Sequence, residues 1–282
     1  MKTFFDCLPC LVRQALDSVR MVTDDEQTHE TILREVLQMA GAMDFGVPPA
    51  AMAQRLHRRI RELTGIDDPY REAKDRLNAR AMELCESLRP RIAGAADPME
   101  AALRLAIAGN IMDLGVKTSL DDGHVCRSIE NCLNEPFEAD IGAFWEAMSG
   151  AERILYLADN AGEIAFDRLL IEQLPREKVT VAVRGGAVIN DATLDDAEEV
   201  GLADLVEVIG NGSDAPGTLL DDCSDGFCER FAAADVILSK GQGNYETLSE
   251  SARPIWFLLR VKCPIIARHL ETDVGRMVLR RS

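Results

Sequence analysis

The sequence predicts an α/β protein in two parts: an all-helical amino-terminal region over residues 1–148, then an open parallel-sheet domain over residues 149–282. Three observations carry this. A chain of 282 residues is long enough for two structural units. Through its first half, apolar residues recur at the 3.6-residue spacing of amphipathic helices, without strand-like runs. After about Ser149 the rhythm becomes short apolar runs alternating with helical stretches, as in a parallel sheet buried on both faces.

Taken in order, Leu11, Val12, Ala15, Leu16 and Val19 share the apolar face of a first helix. Ile32, Leu33, Val36, Leu37 and Ala40 form a second that stops at Gly41. Pro48 and Pro49 open a third, carrying Met52, Leu56, Ile60 and Leu63 to a stop at Gly65. A fourth runs through Ala73, Leu77, Ala81, Leu84 and Leu88 to an expected end at Pro90, and Pro98 starts a fifth through Leu103 and Ile107. The cluster Arg55, His57, Arg58, Arg59 and Arg61 reads as the solvated face of the third helix, with anion binding as the alternative. Five strands are expected at Ile154–Ala158, Val179–Val183, Leu205–Ile209, Val236–Leu238 and Ile255–Leu259. Helical stretches such as Ile164–Leu174 and Leu194–Val200 lie between them.

Composition narrows the function classes. Hydrophobic residues make up 47% and charged residues 28%, ordinary for a globular protein. A formal net charge of −17 argues against nucleic acid or anionic membrane as a partner. The acid is concentrated: Ala187 to Asp235 holds thirteen Asp or Glu against one base, Arg230, whereas Ser251 to Ser282 holds seven bases against two acids. Most of those acids are expected on solvated surface. With no targeting segment or long apolar run in view, the expected compartment is the cytoplasm, where the eight cysteines stay reduced.

In an open parallel sheet, ligands bind beyond the carboxyl ends of the strands. The residues there are Asp159-Asn160-Ala161-Gly162-Glu163, Arg184-Gly185-Gly186 leading to Asn190-Asp191, Asn211-Gly212-Ser213-Asp214, and Ser239-Lys240-Gly241-Gln242-Gly243-Asn244. Asp159, Asn160 and Asp191 supply two carboxylates and an amide oxygen, the hard donor set of Mg²⁺ or Mn²⁺. Two carboxylates neutralise a dication without repelling a phosphate. Lys240 adds a compact positive charge, and the amides around Gly241 and Gly243 suit phosphate oxygens. Each element also has a structural reading: Asp159-Asn160 as a turn, Asp191 as a helix cap, Lys240-Gly-Gln-Gly as a tight bend. Neither a Walker loop nor a dinucleotide fingerprint is present.

The chain resembles the damage-control phosphatase family, also called domain of unknown function 89 and ARMT-like metal-dependent phosphatases. The likeness is to the prokaryotic branch with an amino-terminal Cys-x-x-Cys. The matching segments are Cys7-Leu-Pro-Cys10, Gly109-Asn110-Ile-Met-Asp113, Asp159 to Glu163, Val183 to Gly186 with Asn190 to Thr193, Gly210-Asn211-Gly, Ser239 to Glu246, and Leu258 to Cys263. The resemblance implies a helical region packed on a Rossmann-like domain and hydrolysis of phosphate monoesters of small metabolites: sugar phosphates, nucleotides or damaged phospho-metabolites. It implies a divalent metal (Mg, Mn, Co or Ni) on Asp159, Asn160 and Asp191, with Asn110 and Asp113 placing substrate or the attacking water. Lys240 would hold the phosphate, and Glu163, Arg184, Gly241, Gly243 and Asn244 would complete the substrate site.

The cysteines leave three readings open. Cys7 and Cys10 could be half of a structural zinc site completed by Cys263 or by Cys126 and Cys132, a redox pair, or ordinary thiols. Cys223 and Cys228 read as buried thiols, and His29, His57, His124 and His269 as capping or solvated. Two other function classes stand beside the phosphatase: a nucleotide- or S-adenosylmethionine-dependent transferase, and a non-catalytic metal-binding protein.

Overall fold

The computed structural model describes residues 1–110, 122–137 and 139–282. Among the described residues, seven helices precede the first strand: α1 (Cys7–Val22), α2 (Glu26–Gly41), α3 (Pro49–Thr64), α4 (Arg71–Ala93), α5 (Pro98–Ala108), α6 (Asp122–Asn134) and α7 (Ile141–Gly150). The remainder alternates: β1 (Ile154–Leu157), α8 (Glu163–Ile171), β2 (Val179–Val183), α9 (Leu194–Glu199), β3 (Glu207–Gly210), α10 (Asp225–Ala233), β4 (Val236–Lys240), α11 (Gly241–Leu248), β5 (Ile255–Arg260), α12 (Pro264–Leu270) and β6 (Met277–Arg281).

The helix boundaries follow local chemistry. The Asp25 carboxylate accepts from the Gln27 and Thr28 amides to open α2, and Asp97 with Pro98 opens α5. Gly65 ends α3 in the left-handed region at φ 68°. The expected stop at Pro90 is corrected: α4 runs through it to Ala93. The exposed last turn loses one bond, to the Glu86 carbonyl, and solvent can satisfy that oxygen.

Among the described residues, six strands lie in the order β3-β2-β1-β4-β5-β6, parallel except that β6 runs antiparallel to β5. The α/β architecture with a mostly parallel sheet is therefore as expected. β6 is a short, basic edge strand without the apolar run that marked the others, and it, α6, α7 and α10 were not among the expected elements. β1 shows how the sheet is buried. Ile154 and Tyr156 enter a core with α4, α5 and α8, whereas Leu155 and Leu157 enter the opposite core with Phe227, Phe231 and α12. That is the two-residue alternation of a strand covered on each side. The larger core is continuous across residue 149, joining Leu84 and Leu103 to Tyr156 and Phe166. The first three helices share a separate small core of Ala15, Val19, Ile32, Val36, Leu56 and Ile60. They meet the sheet part through polar contacts, with Arg58 and Arg61 both pairing with Asp214. No helix among the described residues is long and apolar enough to cross a membrane.

Candidate active site

From β1 the chain proceeds to β2 on one side, and β4 later pairs on the other. The crevice beyond the carboxyl ends of β1 and β4 is thus the topological switch point, where doubly wound sheets bind ligands. Asp159 and Asn160 lie two and three residues past β1. Residues 188–192 zip against them: Ala161 N donates to Asn190 O at 2.8 Å, Ala192 N donates to Asp159 O at 2.8 Å, and Asn160 and Asp191 form an isolated antiparallel bridge. This backbone pairing, rather than a helix cap, brings Asp191 beside Asp159. The cap of α9 is Thr193, in a reciprocal box with Asp196.

Arg184 holds the two carboxylates. Its Nε donates to Asp191 Oδ2 at 2.6 Å, its Nη2 to Asp159 Oδ1 at 3.3 Å, and its Nη1 to Asn244 Oδ1 at 3.0 Å. Asn244 in turn donates to the carbonyls of Ala158 and Lys240, tying α11 to the end of β1. Burial pushes the Asp159 carboxyl well above the usual range; Asp191 and Glu163 push it further, while Arg184 and Lys262 pull it back. Gly241 begins α11 at φ 77°, and a Cβ there would overlap the Asp159 carboxylate, so only glycine fits the approach.

Beneath this lies a second layer. Glu163 Oε2 accepts from Asn110 Nδ2 at 2.8 Å and Asn160 Nδ2 at 2.9 Å, and Asn160 also donates to Asp159 Oδ2 at 2.8 Å. Lys240 Nζ donates to Glu163 Oε1 at 2.7 Å, to the Ala106 carbonyl at 3.0 Å and to Asp167 Oδ1. Burial raises Asp167 to about 6, against the pull of Lys240. In this structure Lys240 and Glu163, expected at the phosphate, contact each other in the protein interior. All three ammonium donors are used inside the protein, both side chains are essentially fully buried, and they fix Asn110 and Asn160 instead. Arg184 and Asn244 are also buried and act on the carboxylates and on α11. Asp113 lies outside the described residues.

The site opens into a cavity of about 420 Å³ with Asp159, Asn160 and Asp191 on one wall. Gly243 and Lys262 line it from the sheet part, and Gln14, Asp17, Arg20 and Tyr70 from the helical part. Of the expected phosphate-binding residues, Gly243 reaches this cavity; Gly241 is buried behind Asp159. Lys262 and the α1 residues were not given roles from sequence. Lys262 was findable by applying the strand-end rule to the fifth strand.

The donor set fits a hard divalent cation. Two buried carboxylates lie side by side, an amide carries the third oxygen, and among the described residues the buried Asn110 Oδ1 acceptor meets no hydrogen-bond partner. Among the described residues no group of three His, Cys, Asp or Glu is placed to hold a metal, so the remaining coordination sites fall to Asn160, water or substrate.

Cys7 and Cys10 sit in the first turn of α1, and Cys263 caps α12. Cys132 is elsewhere, its sulfur accepting from Arg260 at 2.8 Å, and the Cys126 side chain lies outside the described residues. Cys132 thus packs in the larger core beside Arg260. His57 is corrected from a solvated to a buried residue, with burial lowering its pKa to about 3.

The sheet order and the acid pair at its switch point define a doubly wound α/β protein with a polar ligand site. Residues 3–278 match the Damage-control phosphatase ARMT1-like domain, and the chain belongs to that family. It is 36% identical over 285 residues to a protein named Damage-control phosphatase from Archaeoglobus fulgidus, covering 96% of each chain. It is 34% identical over 288 residues to a Damage-control phosphatase from Pyrococcus horikoshii, covering 100% of this chain and 99% of that one. A crystal structure of a DUF89 family protein from Pyrococcus horikoshii matches with TM-score 0.91 at 32% identity, covering 100% of this chain and 99% of that one.

Proposed function

We propose that this protein is a divalent-metal-dependent phosphatase that hydrolyses phosphate monoesters of small metabolites. The observation that carries the reading is the convergence of Asp159 and Asp191 at the switch point, facing a 420 Å³ cavity that Lys262 also lines. Asp159, Asp191 and the Asn160 amide oxygen would hold the cation, with Mg²⁺, Mn²⁺, Co²⁺ or Ni²⁺ as candidates. Such an ion supplies Lewis-acid polarisation of a phosphoryl oxygen and acidifies a bound water. Arg184 keeps both carboxylates oriented, and the Glu163–Lys240 pair keeps Asn160 turned toward them. Lys262 and the amide end of α11 at Gly243 offset the phosphate charge. Asp113, three residues beyond Asn110, is assigned the water-positioning role by its place in the matched segment.

The cavity's size supports a small ester as substrate, and its polar α1 wall suits a hydroxylated carrier such as a sugar or nucleoside. Phosphate release from p-nitrophenyl phosphate, sugar phosphates and nucleotides, with each metal and with chelator, tests this. Activity confined to the metal-loaded protein and lost in Asp113→Asn and Asp159→Ala is expected. Full activity in chelator, or in Asp159→Ala, would refute it.

A further inference from the structure

A second cavity of about 320 Å³ adjoins the first and shares Gln14, Gln242 and Gly243 with it. Cys7, Cys10 and Cys263 line it, brought together from α1 and from the end of β5. One face of α1 runs along both cavities: Cys7, Cys10, Gln14, Asp17 and Met21 recur at intervals of three and four residues. The two thiols and the wall of the phosphate cavity are therefore parts of one rigid element.

The three cysteines differ in setting. Cys10 is exposed, whereas Cys7 and Cys263 are half-buried. Burial raises the Cys7 thiol, with Glu246, Cys263 and Cys10 adding to the effect. The Gln242 amide donates to Cys263 Sγ at 3.6 Å. Among the described residues no group of three His, Cys, Asp or Glu is placed to hold a metal, which disfavours a preformed zinc site here.

We propose that Cys7 and Cys10 form a thiol–disulfide site for low-molecular-weight disulfides, and that its oxidation alters substrate entry through α1. The Cys10 thiolate attacks one sulfur of the oxidant R–S–S–R, forming a mixed disulfide and releasing R–S⁻. The Cys7 thiolate then attacks the Cys10 sulfur and releases the second R–S⁻. Two protein thiols are oxidised to one disulfide as one oxidant disulfide is reduced to two thiols, the protons following to R–S⁻. Cys263 stays reduced. Side chains three apart on a helix have Cβ atoms about 5–6 Å apart, whereas a disulfide requires roughly 3.5–4.5 Å. Closing the bridge tightens the first turn of α1 and moves the residues that wall the phosphate cavity.

The test treats the full chain with oxidised glutathione, counts free thiols, maps disulfide-linked peptides, and measures KM and kcat for p-nitrophenyl phosphate. The expected result is loss of two thiols, a Cys7–Cys10 link, and a several-fold rise in KM with kcat little changed, all reversed by dithiothreitol. Cys10→Ser should abolish the response, while Cys263→Ser and Cys223→Ser retain it. An unchanged thiol count, a link confined to Cys223 and Cys228, a KM rise that persists in Cys10→Ser, or stoichiometric zinc protecting the pair would each overturn the proposal. A bridge without a KM change would overturn the coupling to substrate entry. That coupling rests on the phosphatase reading; if the reduced protein hydrolyses nothing, that reading fails, and the thiol count alone decides the bridge.

Discussion

Asp159 is raised by burial and by the Asp191 carboxylate facing it, and Arg184 spans the two. Removing the guanidinium leaves two buried like charges held by fewer groups. Arg184→Met is expected to weaken metal-supported turnover about 10–100-fold, the usual effect of losing a partner that orients ligands; metal titration of the rate reads it. Gly241→Ala places a Cβ against the Asp159 carboxylate at a φ of 77°. Backbone strain of that kind costs about 1–3 kcal/mol, so a lower urea midpoint together with lost turnover is expected. Asp159, Asn160 and Asp191 were singled out because ligands bind beyond the carboxyl ends of parallel strands, and the structure brings all three to one cavity. The inward turn of Lys240 was legible in principle: in β4 it shares parity with Leu238, which faces the core containing α5 and α8. Sequence reading treated Lys240 as part of a loop, where parity carries no information.

Between elements, the helical part shares an apolar core with the sheet part and is tied to it by buried charge as well. Lys74 on α4 and Asp196 on α9 pair at 2.7 Å with both side chains fully buried. Asn78 on α4 donates to Asp196 and accepts from the Gly162 amide at the start of α8. Removing one member of such a pair strands a buried charge at a cost of roughly 3–5 kcal/mol, so Lys74→Met should lower the urea midpoint markedly. Although burial opposes it, Lys74 and the Thr193 donors hold Asp196 below its ordinary 3.8. A depressed carboxylate stabilises the fold above its unfolded value, and that contribution is lost as pH falls through its folded value. The wild-type midpoint should therefore fall more steeply than that of Asp196→Asn on acidification below about pH 4. A parallel decline in the two would contradict this. These contacts were not legible, because they join residues 84 or more positions apart in the chain. His57 was hidden differently. It sat in a run of arginines, yet its spacing from Ala53 and Ile60 places it on the buried stripe of α3.

At the scale of the whole molecule, the net charge of −17 divides by position. Within the acidic stretch, Asp191 faces the cavity, Asp196 is paired in the interior and Asp214 binds Arg58 and Arg61. Asp221, Asp222, Asp225 and Glu229 are exposed or half-buried. The alternation of runs and helices made the α/β class readable, while strand order and the antiparallel β6 depended on long-range pairing that no local pattern encodes. A cation bound only by the folded state stabilises it by about 2.7 kcal/mol at a hundred times its Kd. Mn²⁺ should therefore raise the melting temperature of the wild type but not of Asp191→Asn. The most direct measurement is phosphate release by chelator-stripped protein as Mn²⁺ is returned, for the wild type beside Asp191→Asn. Hydrolysis that rises from background to saturation in the wild type and stays at background in the variant is predicted. Equal hydrolysis by the stripped wild type, or the same metal response in the variant, would contradict a phosphatase centre on Asp159, Asn160 and Asp191.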